Sequence, residues 1–299
     1  MIIRNQGDVT SDALAAMERT ADPRVREILV SLIKHLHAFV RDVRLTEDEF
    51  RQATAVLNQM GKLSTDTHNE SVLMAGSLGV SSLVCLLNNG GNGSTETSQS
   101  LLGPFWRLNS PRVANGGTIV RSDTPGDPPF VTARVVDMAG KPVAGAEVDI
   151  WHASPIGLYE NQDPEQADMN LRGKFTTDQD GRFWFATVKM IGYPIPTDGV
   201  VGRLLQAQNR HPYRPAHLHA LIVKEGFKVL ISQVYDPKDP HIDTDPQFGV
   251  TKAKALLGDY IRHEEPHPSD PNIRPPWYSL DYTYVMEPGE MKVPAPPIA

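Results

Sequence analysis

The stretch Arg210-His211-Pro212-Tyr213-Arg214-Pro215-Ala216-His217-Leu218-His219-Ala220-Leu221-Ile222-Val223 ends as an apolar strand with His217 and His219 two residues apart at its start. Side chains at i and i+2 of a strand point to one face, so both imidazoles can converge on one ion. Two histidines facing an otherwise apolar core are costly unless they find partners. Spacing alone leaves two answers open, a metal or a set of hydrogen bonds.

Working outward, the chain around this stretch reads as short strands. Val131–Val136, Ala146–Trp151, Phe183–Val188, Leu218–Val223 and Val229–Val234 are rich in β-branched or aromatic residues, with turn chemistry at Gly140-Lys141-Pro142 and Asp178-Gln179-Asp180-Gly181. Tyr278, Leu280, Tyr282 and Tyr284 alternate with Ser279, Asp281 and Thr283, the pattern of a half-buried strand. Before residue 100 the periodicity is helical instead. Asp22-Pro23 reads as an N-cap with proline at the first helical position, followed by Val25, Ile28, Leu29, Leu32, Ile33, Leu36, Phe39 and Val40 at i, i+3, i+4 spacing. Thr46–Glu49 has capping-box spacing, with Gly61 as the stop of that helix. A third helix is expected over roughly His68–Leu87, ended by Asn88-Asn89-Gly90-Gly91. Its uncharged middle, Leu73–Val80, implies burial in a core or an interface, and Cys85 with it. The expected architecture is mainly β with an α-helical N-terminal part: residues 1–100 a helical dimerisation domain, residues 101–299 an antiparallel β-sandwich catalytic core.

Composition narrows the function. The 299 residues carry a formal net charge of −7, which argues against nucleic acid or an anionic membrane as the main partner. One cysteine excludes an intrachain disulfide and any multi-cysteine metal site. The first residues lack the basic-then-apolar pattern of a signal peptide and no stretch spans a bilayer comfortably, so a soluble, cytoplasmic protein is expected. Gly90-Gly91-Asn92-Gly93 follows a helix, not a strand, and so is a helix end and not a dinucleotide loop; Ala75-Gly76-Ser77-Leu78-Gly79 lacks the first glycine of a nucleophile elbow.

A carboxylate to complete a two-histidine site is hard to find, because the next acid after His219 is Glu225. Tyrosines are more suggestive: Tyr159 after Ile156-Gly157-Leu158, taken as the end of a strand, and Tyr193 in the rigid loop Ile191-Gly192-Tyr193-Pro194-Ile195-Pro196. Neither would be read as a ligand in isolation.

The ordered set Tyr159, Tyr193, His217, His219, spaced by 34, 24 and 2 residues, with Gly192–Pro196 and Arg214–His219 around it, resembles the intradiol ring-cleaving dioxygenases. The resemblance implies Fe(III) held by two tyrosinates and two histidines, with Tyr193 serving also as an internal base and Arg214 stabilising charge on the ring carbon that oxygen attacks. It places Gln233 near the substrate, and Leu73, Gly76, Gly103, Pro104, Phe105, Ile195 and Pro196 around the pocket with Arg214. His152, His211 and Tyr213 fall outside the ligand set and are read as structural. Tyr159-Glu160-Asn161-Gln162 and Phe248-Gly249-Val250 look most like hydroxyquinol 1,2-dioxygenases, whereas Gln233-Val234-Tyr235 looks more like catechol 1,2-dioxygenases.

Related hydroxyquinol enzymes often carry an acid where Gly76 stands, Val200 replaces a usual proline and Ala220 a common phenylalanine; these departures touch substrate choice and no metal ligand. The expected reaction is cleavage of hydroxyquinol with O2 to 3-hydroxy-cis,cis-muconate, the enol of maleylacetate, in aromatic-compound catabolism. The alternative is catechol or a substituted catechol giving cis,cis-muconate. The resemblance also implies a homodimer through the N-terminal helices, which in related enzymes can enclose lipid. Two other classes stay in play: a different metalloenzyme using His217 and His219 with a carboxylate, and a non-enzymatic β-sandwich binding module.

Overall fold

The computed structural model describes residues 2–89, 97–250, 256–268 and 273–298, so Gly90–Gly93 and Pro271 lie outside the described residues. The chain forms two compact units, Met1–Gln59 and Met60–Ala299. The first contains α1 (Gln6–Met17), α2 (Pro23–Asp42) and most of α3 (Glu47–Leu63). Asn5 caps α1, accepting from the Gly7 and Asp8 amides, a helix the sequence reading missed because its apolar residues cluster at one end instead of recurring at helical spacing. Asp22 caps α2 and Pro23 opens it. Thr46 and Glu49 exchange the reciprocal bonds of a capping box at the start of α3. Gly61 does not stop that helix, which runs on to Leu63.

The single helix expected over His68–Leu87 is instead two, α4 (Glu70–Ser77) and α5 (Val80–Asn89), bent by 78°. Gly79 causes the break: at φ +74° it takes a left-handed conformation that a side-chain-bearing residue resists. Burial also divides between the two pieces. α4 buries Leu73, Gly76 and Ser77, whereas Leu83, Val84 and Leu87 of α5 are exposed and Cys85 is half-buried. No single described helix is long and apolar enough to cross a membrane.

The rest of the second unit is two four-stranded sheets. One has the order β4-β1-β10-β9, with β1 Pro129–Asp137, β4 Arg182–Ala186, β9 Tyr260–His263 and β10 Trp277–Met286. The other has the order β3-β2-β7-β8, with β2 Glu147–Trp151, β3 Arg172–Thr176, β7 His217–Val223 and β8 Leu230–Tyr235. Pairing is antiparallel throughout except between β1 and β10, which run parallel. A two-residue ladder, β5 (Tyr193–Pro194) with β6 (Tyr213–Arg214), and the helix α6 (Val200–Ala207) complete the unit.

One apolar core joins the sheets: Val131, Ala133, Phe183, Phe185, Leu280 and Tyr284 from one, Val148, Ile150, Phe175, Leu218, Ala220, Ile222 and Val234 from the other. Alternation then sends His217, His219 and Leu221 to the opposite face of β7. That corrects the expectation that the histidines face the sandwich core. They face a second buried layer, made by Phe105, Trp106, Trp151, Ala153, Tyr159, Tyr193 and Leu221.

The turn before β4 depends on Gly181, at φ +72°, where an added Cβ would overlap the Val135 carbonyl that belongs to the adjacent strand. Gly181→Ala should therefore lower unfolding free energy by about 1–3 kcal/mol. Urea denaturation with an unchanged m-value but a lower midpoint is the expected result, and an unshifted midpoint would contradict the close packing of this turn.

Candidate active site

Four donor atoms meet in the second buried layer. Tyr159 Oη lies 3.0 Å from Tyr193 Oη, Tyr193 Oη 3.4 Å from His217 Nε2, and His217 Nε2 3.2 Å from His219 Nε2. All four residues are at most 4% exposed. They arrive by three routes. β7 carries the two histidines on one face, and the β5–β6 ladder pairs Tyr193 with Arg214. Tyr159 does not end a strand as expected. It stands in extended conformation in the loop after β2, capping the single 3-10 turn Glu160–Gln162, with its own amide bonded to the Gln162 side chain.

The histidines are oriented from behind. His217 Nδ1 bonds the Pro215 carbonyl at 2.6 Å, which leaves Nε2 to face the cluster. His219 stacks on Trp151, centroids 4.6 Å apart and planes 9° from parallel. Burial drives His217 down to about 3, with the nearby Arg214 charge adding to it, and drives His219 well below the ordinary histidine range. Both imidazoles are therefore neutral donors. Burial also pushes the phenols of Tyr159 and Tyr193 upward; at Tyr159 the neighbouring Tyr193 adds to the effect while Arg214 and Arg172 oppose it.

Arg214 is 3% exposed and makes a dense set of bonds. Its Nη1 lies 3.1 Å from His217 Nε2, and Nη2 donates to Gln233 Oε1 at 2.9 Å, Tyr235 Oη at 2.9 Å and Asp245 Oδ2 at 3.0 Å. Burial alone would weaken the guanidinium's hold on its proton, but Asp245 reverses that, so Arg214 stays charged. Gln233 in turn donates to the Leu101 carbonyl and accepts from Tyr235 Oη, which ties the arginine to the loop that carries Gly103, Pro104 and Phe105.

The expected pocket residues form two groups. Gly103 faces the His219 ring closely enough that a Cβ there would lie 3.2 Å from Cε1, Phe105 stacks on Tyr159 at 4.6 Å, and Pro104 is half-buried between them in the chain. Leu73 packs with Ile195, Val201 and Leu205, and Pro196 follows half-buried. Gly76 leaves room that the Gln247 side chain occupies, held by a 2.6 Å bond to Ser77 Oγ. The second group reaches the donors through Ile195, two residues after Tyr193, and through Gln247, whose amide bonds Asp245.

His152, Tyr213 and His211 stay outside the donor cluster. His152 is bonded to the Ala153 carbonyl and Thr187 Oγ1, Tyr213 is exposed and His211 bonds Thr244. Sequence reasoning missed Asp245, Trp151, Arg172 and the roles of Tyr235 and Glu160. Asp245 gave no signal because its partner lies 31 residues away, whereas Trp151 and Arg172 share the face of His219 by strand register.

Among the described residues no group of three or more His, Cys, Asp or Glu side chains converges, so a metal here must recruit the tyrosines. Two neutral imidazoles and two phenols held together out of water suit a hard, highly charged cation. Such an ion pulls phenol pKa values down and repays the ionisation that burial opposes. The donor set therefore fits the iron implied by the sequence resemblance.

Comparison with known proteins gives the family. The family profile described as Dioxygenase matches residues 102–284, and that described as Catechol dioxygenase N terminus matches residues 22–95. The chain is 41% identical over 253 residues to hydroxyquinol 1,2-dioxygenase of Rhizobium sp. (strain MTP-10005), covering 84% of each chain. It is 36% identical over 243 residues to catechol 1,2-dioxygenase of Candida albicans, covering 81% of this chain and 80% of that one. The solved structure of hydroxyquinol 1,2-dioxygenase from Pseudomonas putida DLL-E4 superposes with a TM-score of 0.85 at 35% identity, covering 95% of this chain and 99% of the other. A helical N-terminal part, a β-sandwich and a buried Tyr-Tyr-His-His cluster thus coincide with matches along most of the sequence, and the chain belongs to the intradiol ring-cleavage dioxygenases.

Proposed function

We propose that this enzyme cleaves hydroxyquinol between its adjacent hydroxyls, using Fe(III) held by Tyr159, Tyr193, His217 and His219. The observation that carries the reading is the convergence of those four donors beside the buried, charged Arg214. Bound iron would supply the activation of the diol ring toward dioxygen. The chain's own residues do the rest. Tyr193 Oη accepts a proton from a ring hydroxyl as the diol enters, the role of an internal base. Arg214, fixed by Asp245, Gln233 and Tyr235, presents a preorganised positive charge to the ring as negative charge builds on it. Leu73, Ile195 and Phe105 wall the ring from water, with Gly103 and Pro104 keeping the loop close to His219. We place the reaction in the cytoplasm, where a chain with a single thiol needs no oxidising compartment.

His217→Ala and His219→Ala should each lose iron and the visible tyrosinate charge-transfer colour. Tyr193→Phe should keep part of the iron and lose most turnover. Arg214→Ala should keep iron while kcat falls by about 10²–10³, as for loss of one preorganised electrostatic donor. Metal analysis alongside steady-state kinetics checks all four, and unchanged iron in a histidine variant would reject the ligand set.

Substrate preference rests on relatives named for hydroxyquinol and on the Tyr159–Gln162 and Phe248–Val250 segments. A second reading, catechol, is favoured by Gly76, which itself carries no carboxylate for a third hydroxyl; the Gln247 carboxamide oxygen stands in that space instead, and a neutral acceptor discriminates less than a charged one. We expect kcat/KM for hydroxyquinol to exceed that for catechol, with catechol still turned over. A tenfold preference the other way, about 1.4 kcal/mol in the transition state, would reassign the enzyme to catechol.

We also propose a homodimer through the N-terminal helices. Val25, Ile28, Leu32, Leu36, Phe39 and Val40 of α2 are all exposed, an apolar stripe that a soluble monomer rarely leaves uncovered. Light scattering should give twice the 33.0 kDa chain mass, and a monomer at micromolar concentration would rule the dimer out.

A further inference from the structure

Strand register builds a row of side chains across the outer face of the second sheet. Arg172 of β3 pairs with Trp151 of β2, Trp151 with His219 of β7, and His219 with Gln233 of β8. Residues paired in this way share a face. Three members of the row already have a place at the site: Trp151 stacks on His219, and Gln233 holds Arg214. Arg172, at the far end, has none.

Arg172 is 1% exposed, an unusual position for a charge. Its Nε donates to Glu160 Oε1 at 2.7 Å, and its Nη1 donates to the Phe105 carbonyl at 2.7 Å. Glu160 immediately follows Tyr159, and the Phe105 ring stacks on Tyr159. One guanidinium therefore ties the carboxylate of the residue that follows Tyr159 to the backbone of the residue whose ring covers it. Its Cζ lies 5.8 Å from the centroid of the Tyr159 ring, within reach of a cation–π interaction. Arg172 Nη2 and Glu160 Oε2 are buried with no hydrogen-bond partner among the described residues. A fully apolar replacement would avoid that cost, since buried ion pairs seldom improve stability over well-packed hydrophobic residues.

We infer that Arg172, set by Glu160, is a positioning residue for Tyr159 that tunes the electron density of its phenolate from behind. It forms a counterpart, on the Tyr159 side, to the Arg214–Asp245 pair on the Tyr193 and His217 side. The inference rests on the proposed reading of Tyr159 as an iron ligand. A positive charge beside a phenolate holds its electrons more tightly and so raises the energy of electron transfer from it to a bound metal. Removing that charge lowers the energy. Removing the carboxylate that offsets it raises the energy further.

The test is the visible spectrum of iron-loaded protein for Arg172→Met, Arg172→Lys and Glu160→Gln, with thermal unfolding of the iron-free forms to confirm that each is folded. Arg172→Met should move the tyrosinate-to-iron band to longer wavelength, and Glu160→Gln should move it to shorter wavelength. Arg172→Lys keeps the charge without the planar fork and should restore the band to near its original position. A packing role alone would not give shifts of opposite sign. If Arg172→Met does not fold, Glu160→Gln, which conserves shape, decides by itself. Bands unmoved, or moved in the same direction by Arg172→Met and Glu160→Gln, would overturn the inference while leaving the ligand set standing. Absence of any such band in the unaltered iron-loaded protein would instead overturn the reading of the site.

Discussion

Everything at the site hangs on the register of β7 between β2 and β8. Backbone hydrogen bonds set His219 opposite Trp151 on one side and Gln233 on the other, with His217 opposite Tyr235. A shift of one residue would turn Leu218 and Ala220 toward the site and drive both imidazoles into the sandwich core. The apolar core resists that slip, because Leu218, Ala220, Ile222 and Val234 fill it from this sheet. The chemistry on one face is thus kept in register by packing on the other.

The electrostatics follow from the same burial. Water is excluded from four donor atoms and two arginines, and each arginine is paired with a carboxylate, Arg214 with Asp245 and Arg172 with Glu160. Low polarity strengthens these pairs and makes every unsatisfied group expensive. His219 Nδ1 is one such group, buried with no hydrogen-bond partner among the described residues. The layer is stable enough to hold and polar enough to react, a combination that an all-apolar layer would not offer.

The β-branched runs and Gly or Asp turns made most strands legible, and so did the two-residue spacing of the histidines, because both are local patterns. Three kinds of feature were not. β3 was hidden because Arg172-Gly173-Lys174-Phe175-Thr176 carries two charges and a glycine, and only Phe175 gives it an apolar face. The bend at Gly79 was hidden because the apolar run continues through it, and only the backbone shows that the direction changes. Asp245 and Glu160 were hidden because a buried carboxylate looks like a surface one until its arginine, 31 or 12 residues away, is placed beside it. The tyrosines stand between these cases. Nothing local marks Tyr159 or Tyr193 as more than a packing residue, and a family pattern was needed to single them out.

The parallel pairing of β1 with β10 bears on the order in which the molecule can be assembled. β10 lies between β1 and β9, so Pro129 finds its neighbour only when Tyr278 has left the ribosome. Contacts of such long sequence separation form slowly. The sheet β3-β2-β7-β8 needs nothing beyond Tyr235 for its ladders. A nascent chain can therefore pair the strands that carry the histidines while the opposite sheet still lacks an inner strand. During that interval the inward faces of β2, β7 and β8 have only β1 and β4 to oppose them, without Leu280 and Tyr284 of β10, which makes this the stage of biosynthesis at which a chaperone would be most useful.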